Sequence, residues 1–164
     1  MFFVRTAGKG DLSRVSALLG RSWHATYDAI YGRDRVTAIT DDWHSIEALR
    51  ARLKQPHSEF IVADDGAAIG GMAFASAVEG GGVVMLHQLY VRPSLHGRGI
   101  GGMLMDEIEA CFPEARTMRL EVEEANAPAI RFYSARGYRQ VGRTANCGRG
   151  GSGIPAAIYE MKLG

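Results

Sequence analysis

The sequence predicts an α/β fold in which helices flank a mixed, mostly antiparallel sheet. The main observation is the stretch from Leu86 to Phe112, where an apolar, β-branched strand leads through a glycine-rich loop into a helix. A hairpin of two strands precedes this stretch and forms a meander of three strands with it, and a strand, a helix and two more strands follow it. The length of 164 residues suits a single domain, residues 1–164, that buries a core without disulfides or metals.

The first half of the chain is predicted to contain a strand, two helices and a hairpin. Asp11 is the expected cap of the first helix, and Asp65-Gly66 forms the expected turn of the hairpin. The predicted segments are residues 2–5 for the strand, 12–23 and 45–54 for the helices, and 59–63 with 67–77 for the hairpin. The expected buried residues of the second helix are Ile46, Leu49 and Leu53.

The second half begins with the central strand, for which residues 86–91 are expected to be largely buried. Residues 116–123 alternate as a strand whose apolar face carries Met118, Leu120 and Val122. Asn126 is a strong candidate for a helix N-cap, and Gly137 fits the end of the same helix. Two final strands are expected at 138–143 and 157–163, with a flexible glycine-rich loop at 148–153 between them.

Composition excludes several function classes. The formal net charge of +1 gives no basis for a polyelectrolyte contact with nucleic acid. No apolar run approaches membrane-spanning length, and the N-terminus turns polar too soon for a signal peptide. Cys111 and Cys147 form neither a metal nor a disulfide pattern; Cys111 is expected in the core and Cys147 as a free thiol. We therefore expect a cytoplasmic protein without metal, nucleic-acid or membrane partners.

The glycines between the central strand and its helix form a candidate anion site. The first amides of a helix have no intrahelical partner, and the helix dipole favours negative charge there. The glycines leave those amides open to a diphosphate, and Arg98 adds positive charge. The glycines concerned are Gly97, Gly99, Gly101 and Gly102.

Two other interpretations of these glycines remain. They could serve turn geometry alone, or they could form a dinucleotide motif G-x-G-x-x-G, with Glu121 or Glu123 as its later carboxylate. A dinucleotide fold carries that motif on its first β-α-β crossover. Here the motif lies beyond the middle of the chain with only two crossovers after it, which disfavours a nucleotide-binding oxidoreductase.

Two motifs make the sequence resemble the GNAT superfamily of N-acetyltransferases, which use acetyl-coenzyme A. The family's glycine signature corresponds to His96-Gly97-Arg98-Gly99-Ile100-Gly101, with His96 in place of the usual Arg or Gln. The second motif, N-A-P-A-I-R-F-Y-S-A-R-G-Y at 126–138, resembles the family's fourth-helix motif. The resemblance covers nearly the whole chain and is strongest from Leu89 to Tyr138.

This resemblance implies a GNAT acyltransferase fold whose sheet splays open between the fourth and fifth strands. The pantetheine arm would lie in that opening, bonded by the backbone of Leu89 and Val91, and Asn126 would contact the arm. The loop amides would hold the pyrophosphate. The implied cofactor-binding residues are Leu89, Tyr90, Val91, His96, Gly97, Arg98, Gly99, Ile100, Gly101, Gly102 and Asn126.

The resemblance also implies the catalytic residues. Tyr133 matches the family tyrosine near the coenzyme sulfur, a general acid, although its spacing alone would suit a core aromatic. Glu121 lies twelve residues earlier, where some relatives that acetylate protein N-termini carry a base. A surface ion pair with Arg119 explains Glu121 equally well. His87 and ordered water are the alternative bases.

The acceptor pocket is expected near the first helix, where Trp23, Tyr27 and Tyr31 could surround an amine, with His87 reaching the same opening. Placement of Trp23 and Tyr27 in the core is the favoured alternative. The expected activity is acetyl transfer to a primary amine, of a small molecule or a peptide N-terminus, by direct attack in a ternary complex. A coenzyme A-binding regulatory module is the alternative function. A homodimer is one assembly that the resemblance implies.

Overall fold

The computed structural model describes residues 1–148 and 152–164, except for the side chain of Glu79. The strands are β1 Phe3–Thr6, β2 Ser58–Asp64, β3 Ile69–Val78, β4 Val83–Val91, β5 Thr117–Val122, β6 Arg139–Thr144 and β7 Ala156–Lys162. The α-helices are α1 Leu12–Tyr31, α2 Arg33–Trp43, α3 Ile46–Lys54, α4 Ile100–Ala110 and α5 Ala127–Ala135. Short 3₁₀ turns occupy Lys9–Asp11, Glu79–Gly81 and Pro93–Leu95. None of the described helices has the length and apolar character needed to span a bilayer.

The strands form one mixed sheet in the order β1-β2-β3-β4-β5-β7-β6, which confirms the predicted fold class. The pairs β1–β2, β5–β7 and β6–β7 are antiparallel, and β4–β5 is parallel. The β4–β5 ladder runs only from Val83 opposite Thr117 to Leu86 opposite Leu120. Both strands continue past this last pair, β4 to Val91 and β5 to Val122.

The chain divides into two compact units. The first unit contains Met1–Ala75 and Gln88–Cys111, and the second contains Ser76–His87 and Phe112–Gly164. The boundaries fall within β3 and β4, so each of these strands contributes to both units.

The core of the first unit lies between α1, α3 and one face of β2 and β3. Alternate residues of the two strands point toward the helices, as a pleated strand requires. The buried members of this core are Ala7, Leu12, Val15, Leu18, Leu19, Leu49, Phe60, Val62, Ile69, Met72 and Phe74. Gly71 instead faces α4, where a Cβ atom would lie 3.0 Å from Leu104 Cδ1 and 3.0 Å from the Tyr90 carbonyl oxygen. A glycine at this position thus favours the close packing of α4 on β3.

Helix α2 was not predicted, because few of its residues are apolar. Its inner face carries the buried Val36 and Thr40, with Ile39 and Trp43 packed beside them. These four positions follow helical spacing, so the signal was present but was obscured by the surrounding charges. In α3, Leu49 is buried as expected, but Ile46 is 42% exposed and that expectation is wrong.

Three other expectations need correction. Asp11 precedes α1 but does not cap it: its carboxylate accepts hydrogen bonds from Gly8 N at 2.8 Å and from the Arg5 guanidinium. Within 86–91 only Leu86 is fully buried, and His87 is exposed. Cys111 is half-buried at the end of α4 rather than in the core.

The predictions for the second unit are confirmed more closely. Met118, Leu120 and Val122 are buried along β5. Asn126 caps α5 through Oδ1, which accepts from Ala129 N at 3.3 Å. Gly137 follows α5 with φ 101°, a left-handed conformation that suits glycine at a helix end. Half of the loop predicted to be flexible, residues 149–151, lies outside the described residues.

Candidate active site

In the first unit, the chain between β4 and α4 forms an open cradle of backbone. Gly97 and Gly99 have φ values of 80° and 82°, and no atom lies within 4 Å of the position of a Cβ on either residue. The first hydrogen bond of α4 runs from Met103 N to Gly99 O at 3.1 Å. The amides of residues 100–102 come before this bond and therefore have no acceptor within the helix. Such amides, at the positive end of the helix dipole, suit a diphosphate.

The side chains around the cradle differ in how they could contribute. Ile100 is buried, so only its backbone is available, whereas Arg98 is exposed. The imidazole Nε2 of His96 is 3.0 Å from the Val91 carbonyl oxygen, one of the groups expected to bond the pantetheine arm. The histidine that replaces the family's usual residue is thus fixed to the end of β4.

An aromatic cluster lies beside β4 in the same unit and consists of Trp23, Tyr27, Tyr31, Val36, Ile39, Trp43 and Tyr90. Trp23 and Tyr27 are each only 4% exposed, and their ring centroids are 4.7 Å apart. Tyr31 is half-buried, and the Arg35 guanidinium carbon lies 4.9 Å from the centre of its ring. Of the three aromatic residues predicted to contact substrate, only Tyr31 keeps a partly open ring.

His44 belongs to this region and was not singled out by its sequence pattern. It is 2% exposed, with ring centroids 5.8 Å from Trp23 and 6.3 Å from Tyr90. Burial, with a further contribution from Arg52, lowers the pKa of His44 to about 3. The imidazole is therefore neutral at physiological pH.

In the second unit, Tyr133 lies on the inner side of α5. It is 8% exposed and packs against Phe132 and Tyr138, with ring centroids 5.3 Å and 5.7 Å away. Burial raises the pKa of the Tyr133 phenol well above its ordinary value. The hydroxyl therefore keeps its proton at neutral pH and is available as a proton donor.

Glu121 is half-buried near the end of β5. Its Oε1 accepts a hydrogen bond from Gly148 N at 2.9 Å, a contact between residues 27 positions apart. Arg119, the alternative ion-pair partner, instead donates to Glu160 Oε2 at 2.5 Å across the β5–β7 ladder. The carboxylate of Glu121 is thus held by the β6–β7 loop rather than by the neighbouring arginine.

The same loop brings Cys147 close to two carboxylates. Burial, with the nearby Glu121 and Glu123 adding to it, raises the pKa of the Cys147 thiol to about 12. Cys147 N donates to Ile154 O at 2.7 Å, which closes the base of the loop. Nothing in the local sequence connects Cys147 to β5, so this proximity could not be predicted.

His87 lies on β4 at the position after the last β4–β5 pair. Its Nε2 is 2.7 Å from the hydroxyl oxygen of Ser76 on β3, and Ser76 is 3% exposed. Glu121 occupies the corresponding position on β5, since Leu86 pairs with Leu120. The two residues predicted as alternative bases therefore occupy adjacent positions in the second unit. Among the described residues, no three His, Cys, Asp or Glu side chains are grouped to hold a metal ion.

Comparison with known proteins gives the family. Residues 19–138 match the acetyltransferase (GNAT) family model. The peptidyl-lysine N-acetyltransferase YiaC of Escherichia coli K12 is 30% identical over 141 residues, 84% of each chain.

Solved structures share the fold. The PaiA N-acetyltransferase of Thermoplasma acidophilum, in complex with coenzyme A, superposes with a TM-score of 0.87 at 21% identity and covers 99% of each chain. The ribosomal-protein-S18-alanine N-acetyltransferase of Escherichia coli superposes with a TM-score of 0.74 at 16% identity, covering 99% of this chain and 94% of its own. The family match sets aside the dinucleotide-binding interpretation of the glycine loop. The chain belongs to the GNAT acetyltransferase family, and its acyl donor is acetyl-coenzyme A.

Proposed function

We propose that this enzyme acetylates a primary amine of a peptide by direct attack of the amine on the acetyl group. The observation that carries the proposal is the placement of Glu121. Its carboxylate is half-buried, is held by Gly148 N at 2.9 Å, and lies twelve positions before the buried, protonated Tyr133. A held carboxylate and a protonated phenol are the two groups that proton transfer from an amine to a leaving thiolate requires.

The coenzyme would be held mainly by backbone. The amides of residues 97–102 would bind the diphosphate, and the backbone of Leu89, Tyr90 and Val91 would bond the pantetheine arm as an added strand. Asn126, whose Oδ1 caps α5, is the coenzyme-binding candidate of the second unit. Bound coenzyme supplies the activated acetyl group, and the protein positions it and manages the protons.

Direct attack is favoured over a covalent enzyme intermediate. The thiol of Cys147 is close to Glu121, but its pKa of about 12 leaves almost no thiolate at pH 7. Burial likewise raises the pKa of Cys111 to about 11. Since the thiolate is the nucleophilic form of cysteine, neither residue is suited to carry the acetyl group.

A peptide amine is the favoured acceptor because the curated relative is a peptidyl-lysine acetyltransferase. The structural neighbour that acetylates the alanine of ribosomal protein S18 supports the same substrate class. In the first unit Tyr31 is the candidate for contact with the acceptor, and Trp23 and Tyr27 support it from the core. In the second unit the candidate is His87. Small-molecule amines are the alternative acceptors against which the peptides are tested.

The test is release of coenzyme A thiol from acetyl-coenzyme A in the presence of an amine panel. The panel contains one peptide with a free N-terminal alanine and no lysine, one peptide with a blocked N-terminus and a single lysine, spermidine, and free amino acids. We expect transfer to one of the two peptides, with mass spectrometry locating the acetyl group. Binding of coenzyme A without thiol release for any amine would instead support a regulatory module.

A further inference from the structure

His87 and Glu121 are neighbours across two parallel strands. The last β4–β5 pair is Leu86 with Leu120, and the next residue on each strand is one of the two. Paired residues of a parallel ladder point to the same face of the sheet, and neighbouring strands are about 4.8 Å apart. Extending the register of the ladder by one residue puts the imidazole and the carboxylate on the same face of the sheet, directly after the last regular pair.

Each of the two side chains is fixed by a second group of the same unit. Glu121 Oε1 accepts from Gly148 N at 2.9 Å, and His87 Nε2 is 2.7 Å from Ser76 Oγ. A hydroxyl can accept a hydrogen bond from a protonated Nε2 and donate one to an unprotonated Nε2. Ser76 can thus hold the ring in either charge state, whereas a carboxylate in its place would favour the imidazolium.

The proposed reaction releases two protons from one nitrogen. An amine binds as an ammonium ion, and it must lose one proton before its lone pair can attack and a second when the amide forms. We propose that His87 and Glu121 act together as the acceptors of these two protons, with Ser76 as a positioning residue for His87. This inference rests on the proposed acetylation of a primary amine.

The protons and electrons balance as follows. His87, with its hydrogen on Nε2 and Ser76 Oγ accepting, takes the first amine proton on Nδ1. The nitrogen lone pair forms the bond to the acetyl carbon, the carbon–sulfur bond breaks, and its electron pair remains on sulfur. Tyr133 protonates that sulfur, and Glu121 takes the second amine proton. One of the two accepted protons returns to Tyr133 and the other leaves to solvent.

The test compares His87→Gln with the exposed His57→Gln as its control, and Ser76→Ala with the half-buried Ser58→Ala of the first unit as its control. The probe is whichever of the two panel peptides the wild type acetylates, assayed from pH 7 to pH 10. Glu123 and Cys147 are titratable groups near Glu121, and Cys147 stays neutral from pH 7 to pH 10 because its pKa is raised to about 12. If His87 removes a proton from an ammonium ion, kcat of His87→Gln falls about 10- to 100-fold at pH 7 and recovers as the amine deprotonates.

Ser76→Ala should show a smaller loss of kcat than His87→Gln with the same recovery at high pH. KM for acetyl-coenzyme A should stay unchanged in both variants.

A second readout needs no turnover: addition of the peptide to the coenzyme-free protein should shift the imidazole ¹⁵N NMR signals of His87 and not those of His57. A wild-type level of kcat in His87→Gln, or a loss that is the same at pH 7 and pH 10, overturns the pair while leaving the proposed function intact. Absence of transfer by the wild type to any amine overturns the proposed function itself.

Discussion

Two histidines distinguish the two regions that this chain builds around β4. His44 lies in the aromatic cluster, where burial lowers its pKa to about 3 and keeps the ring neutral. His87 lies at the end of the β4–β5 ladder, where its ring is exposed and Ser76 holds Nε2. One histidine is therefore an uncharged packing residue, and the other is the proposed proton acceptor. The comparison shows that the surroundings of a histidine, rather than its presence near a site, decide whether it can take part in chemistry.

The largest effect is expected at Tyr133. Tyr133→Phe removes only the hydroxyl, so kcat should fall about 100- to 10,000-fold through loss of general acid catalysis. Coenzyme A affinity, measured by isothermal titration calorimetry, should remain at the wild-type value. Unchanged turnover would show that Tyr133 is a core aromatic like those of the cluster, and the contrast between the two regions would weaken.

A comparable effect on stability, rather than on turnover, is expected in the aromatic cluster. Trp23→Ala should lower the free energy of unfolding by about 3–5 kcal/mol, because it removes a buried ring and leaves a cavity. Urea denaturation followed by circular dichroism measures the loss. Tyr31→Ala, at a half-buried ring, is the matched variant and should lose clearly less stability while raising KM for the acceptor. Equal losses of stability in both variants would remove Tyr31 from the acceptor site.

Glu121→Gln tests the proposed role of the Glu121 carboxylate as a base with little change of structure. The amide oxygen of glutamine can still accept from Gly148 N, so the loop should stay in place while the negative charge is lost. We expect kcat to fall about 100-fold at pH 7 with the melting temperature unchanged. Glu124→Gln, at an exposed position outside the proposed machinery, serves as the control. A kcat within twofold of the wild type would assign the role of base to His87 or water alone.

The buried histidine makes stability depend on pH. The pKa of His44 is about 3 in the folded chain, against an ordinary value of 6.5. Below pH 6.5 the unfolded chain binds the proton more tightly, so stability falls as pH falls, by about 1.4 kcal/mol per pH unit from this residue. Urea denaturation at pH 7, 6 and 5 should show this slope, and His44→Phe should reduce it. An unchanged slope in His44→Phe would indicate that the cluster admits water to the ring.

The smallest effect is expected at His96, a third histidine that neither packs in the core like His44 nor acts as a proposed proton acceptor like His87. Its contact with the Val91 carbonyl is an exposed hydrogen bond, so His96→Arg should change the Kd for coenzyme A by no more than about threefold. Gly99→Ala is the informative comparison, because a left-handed conformation costs about 1–2 kcal/mol for a residue with a Cβ. Calorimetric titration of both variants separates backbone from side-chain recognition. A loss of tenfold or more in His96→Arg would contradict a loop that works through its amides.

The parts of the fold with local signals could be predicted from sequence. The alternation of Met118, Leu120 and Val122, the Asn126 cap and the glycines at 97–102 each follow from short-range rules. Helix α2 was missed because its apolar stripe consists of only Val36 and Ile39 with Trp43, among charged neighbours. Local pattern thus identifies an element when most of its inward positions are apolar.

The arrangement of the site depended more on contacts between residues far apart in sequence. The bond from Gly148 to Glu121, and the approach of Cys147 to the same carboxylate, are set by the β6–β7 loop and leave no trace in sequence spacing. The partnership of Ser76 with His87 likewise depends on strand register. Motif resemblance could name the candidate acid and base, but it could not reveal what holds them.

The tight seat of α4 on β3 at Gly71 has a consequence for how this enzyme can vary. A Cβ atom there would press on the Leu104 side chain and on the Tyr90 carbonyl oxygen, so one of these neighbours would have to shift. Leu104 lies on the helix that follows the glycine loop directly. We therefore expect Gly71→Ala to weaken binding of coenzyme A even though residue 71 lies on a strand well outside that loop.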